Sequence, residues 1–332
     1  MGCQQHWGVE RKTPVDPDSS FYPGPMATPH ISLPRRLQHN LGTMLRSRVA
    51  GPQAFERSLE IWGKEGPRWF SPQDPVWWVH DDAAMFIGGI TALLTQMLHP
   101  GAMAGVGDFS GYKQDPWGRL QRTADYISVT TFGTIEMAEA VISRVKKIHD
   151  RVQGTDELGN PYSGSDTDLL LFVHNAEIDS FFRAYQAYGP RPLTRKQADT
   201  YVAQTAIPAR LLGVEDPPTT VSQLHGQLRD FRSQLTMTTS AQEAARFVLH
   251  QPPISGAGRV GYSMLCAGAV ALLPGFARDM LGLKVGPRMS AYGLKPLGKM
   301  VANTVRWGLA GLNKSELLPG ELQQLYRQTY GL

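Results

Sequence analysis

The sequence predicts an all-α fold, with one domain over residues 31–332. After residue 30, each segment long enough to form an element repeats its apolar residues at the three- and four-residue spacing of a helix. Sustained alternation of apolar and polar residues, the pattern of a strand, is absent from the sequence. No repeat period and no Gly/Ser-rich or charged linker divides the region, which indicates a single domain.

Prolines, capping residues and the helical period set the predicted helix bounds. Asp115 can cap a helix that begins at Pro116, and Gly154 can follow a helix that ends at Val152. The predicted helices are Pro34–Arg46, Pro52–Glu60, Asp82–Leu98, Pro116–Thr130, Ile135–Val152, Asp168–Tyr188, Arg195–Leu212, Val221–Leu235, Ala241–Leu249, Gly261–Leu273, Ala277–Leu281, Gly293–Gly308 and Gly320–Tyr330. We interpret the run Trp77–Asp82 as a hydrophobic staple and N-cap, with a role of its Trp and His side chains at the rim of a pocket as the alternative.

Residues 1–30 are expected to form a disordered tail outside the domain. They show hardly any periodic hydrophobicity and contain Pro14, Pro17, Pro23, Pro25 and Pro29. Met26 is an alternative start of the chain. The two cysteines, Cys3 and Cys266, lie far apart in the sequence, which predicts neither a disulfide framework nor a thiolate metal site and favours a reducing, cytoplasmic setting.

Charge and hydropathy restrict the expected partners. The 33 basic and 29 acidic residues give a net charge of +4 and are spread along the chain, so nucleic acid is not an expected partner. No apolar run reaches the roughly 18 to 20 residues that a membrane-spanning helix needs, and the N-terminus lacks the apolar region of a signal peptide. Peripheral membrane contact stays open, with Leu272–Phe276 as the candidate segment.

The helix predicted over Ile135–Val152 carries His149 on its apolar stripe. That stripe consists of Ala138, Val141, Ile142, Val145, His149 and Val152. A lone histidine on such a face commonly bonds a backbone carbonyl in the core, so its neighbours decide whether it has another role.

The preceding helix supplies those neighbours. One of its faces carries Arg119, Thr123, Tyr126 and Thr130, with Arg122 beside Arg119. The alternative is a solvated surface, for which threonine and tyrosine are poor choices. Joined by a tight turn at Phe132-Gly133, the two helices predict a hairpin that suits an anionic cofactor, because arginines pair with propionates while a neutral imidazole binds iron.

Several stretches together resemble one known family. They are Asp115–Thr123 (DPWGRLQRT), Phe132–Thr134 (FGT), Val145–Gly154 (VKKIHDRVQG), Gln96–Pro100 (QMLHP), and Tyr162 followed by Leu170–His174 (LLFVH). The family is that of the rubber oxygenases, or latex-clearing proteins, together with the fungal oxygenase MpaB. The resemblance extends from about residue 60 to about residue 280.

The resemblance implies a globin-like helical core that binds haem b and uses dioxygen to cleave or oxidise a carbon–carbon double bond in a hydrophobic, isoprenoid or lipid-like substrate. By position it makes His149 the proximal iron ligand and places Arg119 and Thr123 beside the haem, with Tyr126 on the same helix face. Arg122 falls where the rubber-cleaving branch has a distal lysine. Because arginine stays protonated and is a very poor iron ligand, we expect an open or water-filled distal position, with Arg122 and Thr123 as the catalytic residues.

Two departures from the rubber-cleaving branch argue against polyisoprene as the substrate. That branch flanks its ligand histidine with arginines where this chain has Lys146 and Gln153. It also carries a distal glutamate, and Met103–Gly107 holds no clear counterpart. We therefore expect a smaller hydrophobic substrate.

Other residues and functions stay open. His174 lies on a strongly apolar helix face and is either a core histidine or a cofactor-binding residue, and it becomes the axial ligand if the alignment is shifted. His99, before Pro100, is expected to cap a helix end.

Alternative functions also stay open. A haem or lipid carrier without turnover would share the arginine and histidine pattern of the two helices. A di-iron site needs Glu-x-x-His on two helices, whereas the domain offers only the reversed pair His174 and Glu177, and the motifs of hydrolases are absent.

Overall fold

The computed structural model describes residues 33–312 and 314–331, and its helical architecture confirms the all-α prediction. The helices are α1 (Leu33–Ala50), α2 (Ala54–Gly63), α3 (Pro75–Asp81), α4 (Met85–Gln96), α5 (Pro100–Phe109), α6 (Pro116–Phe132), α7 (Ile135–His149), α8 (Thr167–Tyr188), α9 (Arg195–Leu212), α10 (Val221–Asp230), α11 (Thr239–His250), α12 (Ala257–Leu272), α13 (Gly275–Met280), α14 (Pro287–Met289), α15 (Lys295–Ala310) and α16 (Gly320–Tyr330). Two short strands, β1 (Gln153–Thr155) and β2 (Pro161–Ser163), form an antiparallel hairpin. Cys3, Met26 and the tail predicted over residues 1–30 lie outside the described residues.

Helix α8 is the central element because it contributes to two hydrophobic clusters. On one side it packs along α4, where Phe172 joins Ile87 and Leu94 in a cluster that α12 and α15 complete. On the other side its residue Phe181 belongs to a cluster with α3, α6, α7 and α9. Helix α8 is therefore in contact with neighbouring helices along most of its length.

The closed end of the α6–α7 hairpin is held by aromatic packing. Phe132, the last residue of α6, contacts the rings of Trp77 and Trp62 at centroid distances of 4.9 and 4.7 Å. Trp77 is completely buried. This packing fixes the position of the hairpin against α2 and α3, and burial of large aromatic rings is a major stabilising contribution to such a core.

The segment predicted as one helix over Asp82–Leu98 begins later than expected, and a separate helix precedes it. Residues 75–81 form α3, so most of the run interpreted as a staple and N-cap is itself helical, and only Asp82 bonds an amide at the start of α4. Asp82 separates α3 from α4: its carboxylate accepts hydrogen bonds from the Ala84 amide at 2.8 Å and from the Arg306 guanidinium at 2.8 Å. The sequence therefore indicated the break at Asp82, and what it did not predict is the separate helix α3.

Helix α7 ends at His149, three residues before the predicted end at Val152, and Gly154 lies in β1 instead of following a helix. A Cβ atom at Gly154 would lie 2.9 Å from the Tyr162 hydroxyl oxygen, so glycine is required by the close approach of that ring. The Tyr162 hydroxyl donates to Asp108 of α5 at 2.7 Å. The hairpin therefore joins the end of α7 to α5, a helix that the sequence did not predict.

The short helix α14 was not predicted, whereas the remaining helices correspond to predicted ones. Helices α9 and α16 have the predicted bounds, and α6 begins at Pro116 with Asp115 as its cap, as predicted. Helix α1 is longer than predicted and reaches Ala50, whereas α10 ends at Asp230 and continues as a 3₁₀ turn.

Candidate functional site

The α6–α7 hairpin brings the predicted arginine and histidine positions to the same end of the molecule. Asp115 caps α6 by accepting from the Gly118 amide at 2.8 Å, and Thr134 caps α7 by accepting from the Met137 amide. Arg119 lies 13 residues before the end of α6 and His149 lies 14 residues after the start of α7. Because the two helices are antiparallel and pack on each other, both residues lie at the open end of the hairpin.

Arg119 is a largely enclosed cation without an anionic partner. Burial lowers the pKa of its guanidinium, and the charged groups that act on it are Tyr112 and Arg122, neither of which is a carboxylate. Within the described part of the chain, no ion pair involves this guanidinium. A desolvated cation with no counter-ion is unfavourable, so the position is suited to an anionic ligand.

Arg122 and Thr123 follow Arg119 on the outer side of α6, and both are exposed. The Arg122 guanidinium forms an ion pair with Asp115 at 3.5 Å and donates to the Ser110 carbonyl at 3.4 Å. The Thr123 hydroxyl donates to the backbone carbonyl of Arg119 at 3.1 Å. Their catalytic role stays a prediction.

His149 is half-buried, and its Nδ1 atom is buried without a hydrogen-bond partner. Burial lowers the pKa of its imidazole, against a smaller opposing effect of the neighbouring Asp150 carboxylate. The ring is therefore neutral near pH 7. A neutral imidazole whose nitrogens are free is the form of histidine that binds a metal.

His174 is enclosed in the interior on α8. Its Nε2 atom is buried without a partner, and burial lowers the pKa of the ring to about 4. The core interpretation of His174 predicted a satisfied histidine, whereas this nitrogen is unpaired. Both predicted cofactor-binding histidines thus keep a free ring nitrogen.

Glu177, one turn after His174, is a carboxylic acid that the sequence analysis considered only as half of a reversed His-x-x-Glu pair. Burial raises its pKa to about 7, and no described group pairs with it. Burial, with a smaller effect of Glu177, raises the pKa of Tyr126 on α6 and of Tyr201 on α9. The sequence does contain a signal for this group, because Glu177 is an acid on the helix face that also carries Leu170, His174 and Phe181.

His80 has a structural role beside this group. Its Nδ1 lies 2.8 Å from the Thr131 hydroxyl and its Nε2 lies 3.3 Å from the Tyr201 hydroxyl, so both nitrogens are satisfied. Burial lowers the pKa of His80 to about 3. His99 is the residue before α5 but makes no capping bond with its side chain, and its Nε2 lies 3.3 Å from Gln234 Oε1. The expectation that His99 caps a helix end was wrong.

Two further findings concern the whole described chain. Residues 33–312 and 314–331 contain no group of three or more His, Cys, Asp or Glu side chains that could hold a metal ion by themselves. None of the helices in these ranges is long and apolar enough to cross a membrane.

The fold and the site together define an all-helical protein with a largely enclosed, unpaired guanidinium on α6 and buried imidazole nitrogens without partners on α7 and α8. Residues 77–307, more than half of the chain, match the family model described as ER-bound oxygenase mpaB/B′/rubber oxygenase, catalytic domain. The chain belongs to this family of oxygenases. Comparisons with curated proteins and with solved structures give no match. The matched range runs from α3 to near the end of α15 and includes every candidate residue above.

Proposed function

We propose that the protein is a haem b-dependent oxygenase that acts on a hydrophobic, unsaturated substrate of isoprenoid or lipid-like character. One observation carries the proposal. An enclosed Arg119 guanidinium without a counter-ion and a neutral His149 imidazole with a free nitrogen lie at the same end of one helical hairpin. Membership of an oxygenase family supports the reaction class.

The residues present fit a haem group. Arg119 would bind a propionate, since a guanidinium recognises carboxylates in bidentate geometry, and His149 would bind the iron. The haem, when bound, supplies the chemistry of dioxygen activation. Tyr126 on α6 and His174 on α8 would contact the macrocycle.

The protein's own residues control what reaches this centre. Arg119 would hold the anionic edge of the cofactor, and the exposed Arg122, which pairs with Asp115, would meet substrate or solvent. His149 provides a neutral nitrogen in a partly dehydrated position.

The visible absorption spectrum of the purified protein tests the proposal. We expect a Soret band that is lost in His149→Ala, kept in His174→Ala and kept in His250→Ala, a matched control at the exposed end of α11. Loss in His174→Ala alone would make His174 the axial ligand. A colourless protein that does not take up added haem would refute haem dependence.

A carrier that binds haem or a lipid without turnover is the alternative, since unpaired polar groups in an interior suit binding as well as catalysis. Oxygen uptake separates the two functions. With farnesol, squalene or an unsaturated fatty acid as substrate, an oxygenase consumes dioxygen in proportion to product, whereas a carrier gives a spectral change without uptake.

We further propose that the protein contacts a membrane surface through helices α1 and α15. The segment that the sequence suggested, Leu272–Phe276, is unsuitable because Leu272 and Leu273 are buried in the core. In contrast, α1 exposes Leu37 and Met44, and the neighbouring α15 exposes Met300 and Trp307. We call these four residues the α1–α15 face.

The charge around the α1–α15 face favours an anionic lipid surface as its partner. Neither α1 nor residues 280–310 contain an acidic residue, and exposed cations there include Arg35, Arg36, Arg288 and Lys295. The two helices are held together by the Gln38 side chain, which donates to the Trp307 carbonyl at 2.8 Å. Exposed apolar side chains surrounded by cations are typical of proteins that bind at a membrane interface. The family's description as an ER-bound oxygenase agrees with this location.

A further inference from the structure

A continuous row of tryptophan and tyrosine rings leads from the interior of the protein to its surface. The distances between ring centres are 5.5 Å for Trp77 and Trp62, 6.0 Å for Trp62 and Tyr326, and 4.4 Å for Tyr326 and Tyr330. Trp77 is completely buried, whereas Tyr330 is 37% exposed. We call these four residues the aromatic row.

The composition and spacing of the aromatic row suit the transfer of single electrons. Tryptophan and tyrosine are the aromatic side chains that lose one electron most readily. The rate of electron transfer between two rings falls steeply with their separation, and all three neighbouring pairs have the spacing of aromatic rings in contact. Each step along the row therefore joins two oxidisable rings that touch.

The two ends of the row differ in their access to a proton acceptor. The indole nitrogen Nε1 of Trp77 is buried without a hydrogen-bond partner in the described part of the chain. Trp77 therefore keeps its proton when it loses an electron, and its oxidised form remains a strongly oxidising cation. In contrast, the Tyr326 hydroxyl donates to the Asp81 carboxylate at 3.0 Å, which can accept the phenolic proton. This difference favours movement of an oxidising equivalent outward, from Trp77 to Tyr326.

Lys314 and Asp81 set the charge beside the middle of the row. The Lys314 ammonium group lies 5.7 Å from the centre of the Trp62 ring, where a lone cation would oppose oxidation of that ring. The same ammonium group forms an ion pair with the buried Asp81 carboxylate. The carboxylate offsets the positive charge, so the environment of Trp62 does not block the transfer.

The row begins beside the helical hairpin that carries the proposed cofactor site. Trp77 also contacts Phe132, the last residue of α6, at a centroid distance of 4.9 Å. Trp62 lies on α2, and Tyr326 and Tyr330 lie on α16, all outside residues 77–307. The outer part of the row is thus built by the segments that flank the matched catalytic domain.

We propose that the aromatic row is an electron-transfer path that carries an oxidising equivalent from the interior of the protein to Tyr330 at the surface. Its role is to discharge a one-electron oxidant that forms inside the protein when no substrate is present to consume it. The oxidant is of the peroxide-derived class, and the reductant at the surface is a thiol. This inference rests on the proposed oxygenase function for the source of the oxidant, but its test does not require haem.

Electrons and protons balance along the path. Trp77 gives one electron to the oxidant and is reduced in turn by Trp62, which is reduced by Tyr326. Tyr326 passes its phenolic proton to Asp81 and recovers it when Tyr330 reduces it. Tyr330 releases its own proton to solvent and then takes a hydrogen atom from the thiol, which becomes a thiyl radical.

Laser photoionisation of the haem-free, full-length protein tests the path. A short ultraviolet pulse ejects electrons from tryptophan side chains, buried ones included, and transient absorption follows the conversion of tryptophan radicals into tyrosyl radicals. The variants are Trp62→Phe and Tyr326→Phe, which keep an aromatic ring in place. Trp307→Phe and Tyr292→Phe are the matched controls, at rings that are 45% and 85% exposed.

We expect a phase of tyrosyl-radical formation whose rate does not depend on protein concentration. This phase should be lost in Trp62→Phe and in Tyr326→Phe and kept in both controls. An unchanged phase in Tyr326→Phe would overturn the proposal, as would a rate proportional to protein concentration, which indicates transfer between molecules. If Trp62→Phe does not fold, Tyr326→Phe decides.

Peroxide treatment of the haem-loaded protein provides a second readout that separates the path from the proposed function. A spin trap and mass spectrometry should locate a radical adduct on Tyr330 in the unmodified protein and in Tyr292→Phe, and none on Tyr330 in Tyr326→Phe. An adduct on Tyr330 that persists in Tyr326→Phe would contradict the path. A protein that takes up no haem but keeps the photoionisation phase through Tyr326 would refute haem dependence and leave the path standing.

Discussion

At the scale of single residues, the raised pKa of Glu177 makes the free energy of unfolding depend on pH. Burial raises its pKa from the ordinary 4.5 to about 7, so the folded state holds a proton that the unfolded state releases. The stabilisation is complete below about pH 4.5 and is lost as pH rises through about 7. The shift corresponds to about 3 kcal/mol at most.

Glu177→Gln tests this dependence. We expect the variant to be about as stable as the unmodified protein near pH 5 and more stable near pH 8, because only the unmodified protein must then bury or protonate a carboxylate. The pKa of His174 is lowered to about 4, so its contribution to stability depends on pH in the opposite direction. His174 is present in both proteins, and its contribution cancels in their difference. Urea unfolding at the two pH values measures the difference in the free energy of unfolding between the two proteins. An equal difference at both pH values would contradict the raised pKa of Glu177.

Arg119 and Arg122 are three residues apart, and the structure distinguishes them. Arg119 is enclosed and unpaired, whereas the exposed Arg122 already pairs with Asp115. Under the haem proposal, Arg119→Gln removes a charge-assisted hydrogen bond to a propionate and should speed haem loss about tenfold or more. Arg122→Gln should have a smaller effect.

Haem transfer to an excess of apomyoglobin provides the rates for these two variants and for the unmodified protein. If Arg122→Gln loses haem as fast as Arg119→Gln, or faster, the assignment of Arg119 as the propionate partner is wrong.

At the scale of elements, the β1–β2 hairpin depends on a glycine at position 154. Alanine there would place its Cβ 2.9 Å from the Tyr162 hydroxyl oxygen and displace the ring that bonds Asp108. We expect Gly154→Ala to lower the free energy of unfolding by about 1–3 kcal/mol, the usual range for overpacking. Gly107→Ala in α5 is the matched control: no atom lies within 4 Å of its added Cβ, and it should be neutral or slightly stabilising.

Helices α1 and α15 give a second prediction at this scale. Vesicles of phosphatidylcholine with phosphatidylserine should sediment the protein, and vesicles of phosphatidylcholine alone should sediment less of it, with the difference reduced by salt. The double variant Met300→Ser/Trp307→Ser should bind several-fold more weakly. Leu158→Ser, an equally exposed apolar residue in the β1–β2 turn, is the control.

Binding that is independent of lipid charge, or an unchanged double variant, would contradict the membrane proposal. Concentration-dependent dimerisation that the double variant abolishes would assign the α1–α15 face to a second copy of the chain.

At the scale of the whole molecule, local signals explain which parts of the fold the sequence predicts. Helix α9 has the predicted bounds because Thr194 and Gln197 form a capping box and Gly213 takes a left-handed conformation after its last residue. Helix α5 escaped prediction because its glycines, among them Gly101 and Gly105, give it a low helical propensity. Its position depends on Tyr162, which is distant in sequence.

The candidate site likewise contains residues that the sequence predicts and contacts that it does not predict. The helical period places His149 and Arg119 on faces of neighbouring helices, and the short turn between them predicts their proximity. The burial that raises the pKa of Glu177 comes from packing around α8, and the pairing of Arg122 with Asp115 depends on side-chain geometry. These contacts are tertiary, so no local pattern in the sequence specifies them.

Haem binding should stabilise the folded molecule as a whole, because the proposed ligands, Arg119 on α6 and His149 on α7, lie on two helices and the macrocycle would contact α8. A ligand at about 100 times its dissociation constant adds about 2.7 kcal/mol to the free energy of unfolding. For a chain of this length that corresponds to a few degrees in Tm. Calorimetric scans with and without haem should show this increase in the unmodified protein and in His250→Ala, and only a small increase in His149→Ala. An equal increase in His149→Ala would mean that haem adheres without using this histidine, and the ligand assignment would have to be abandoned.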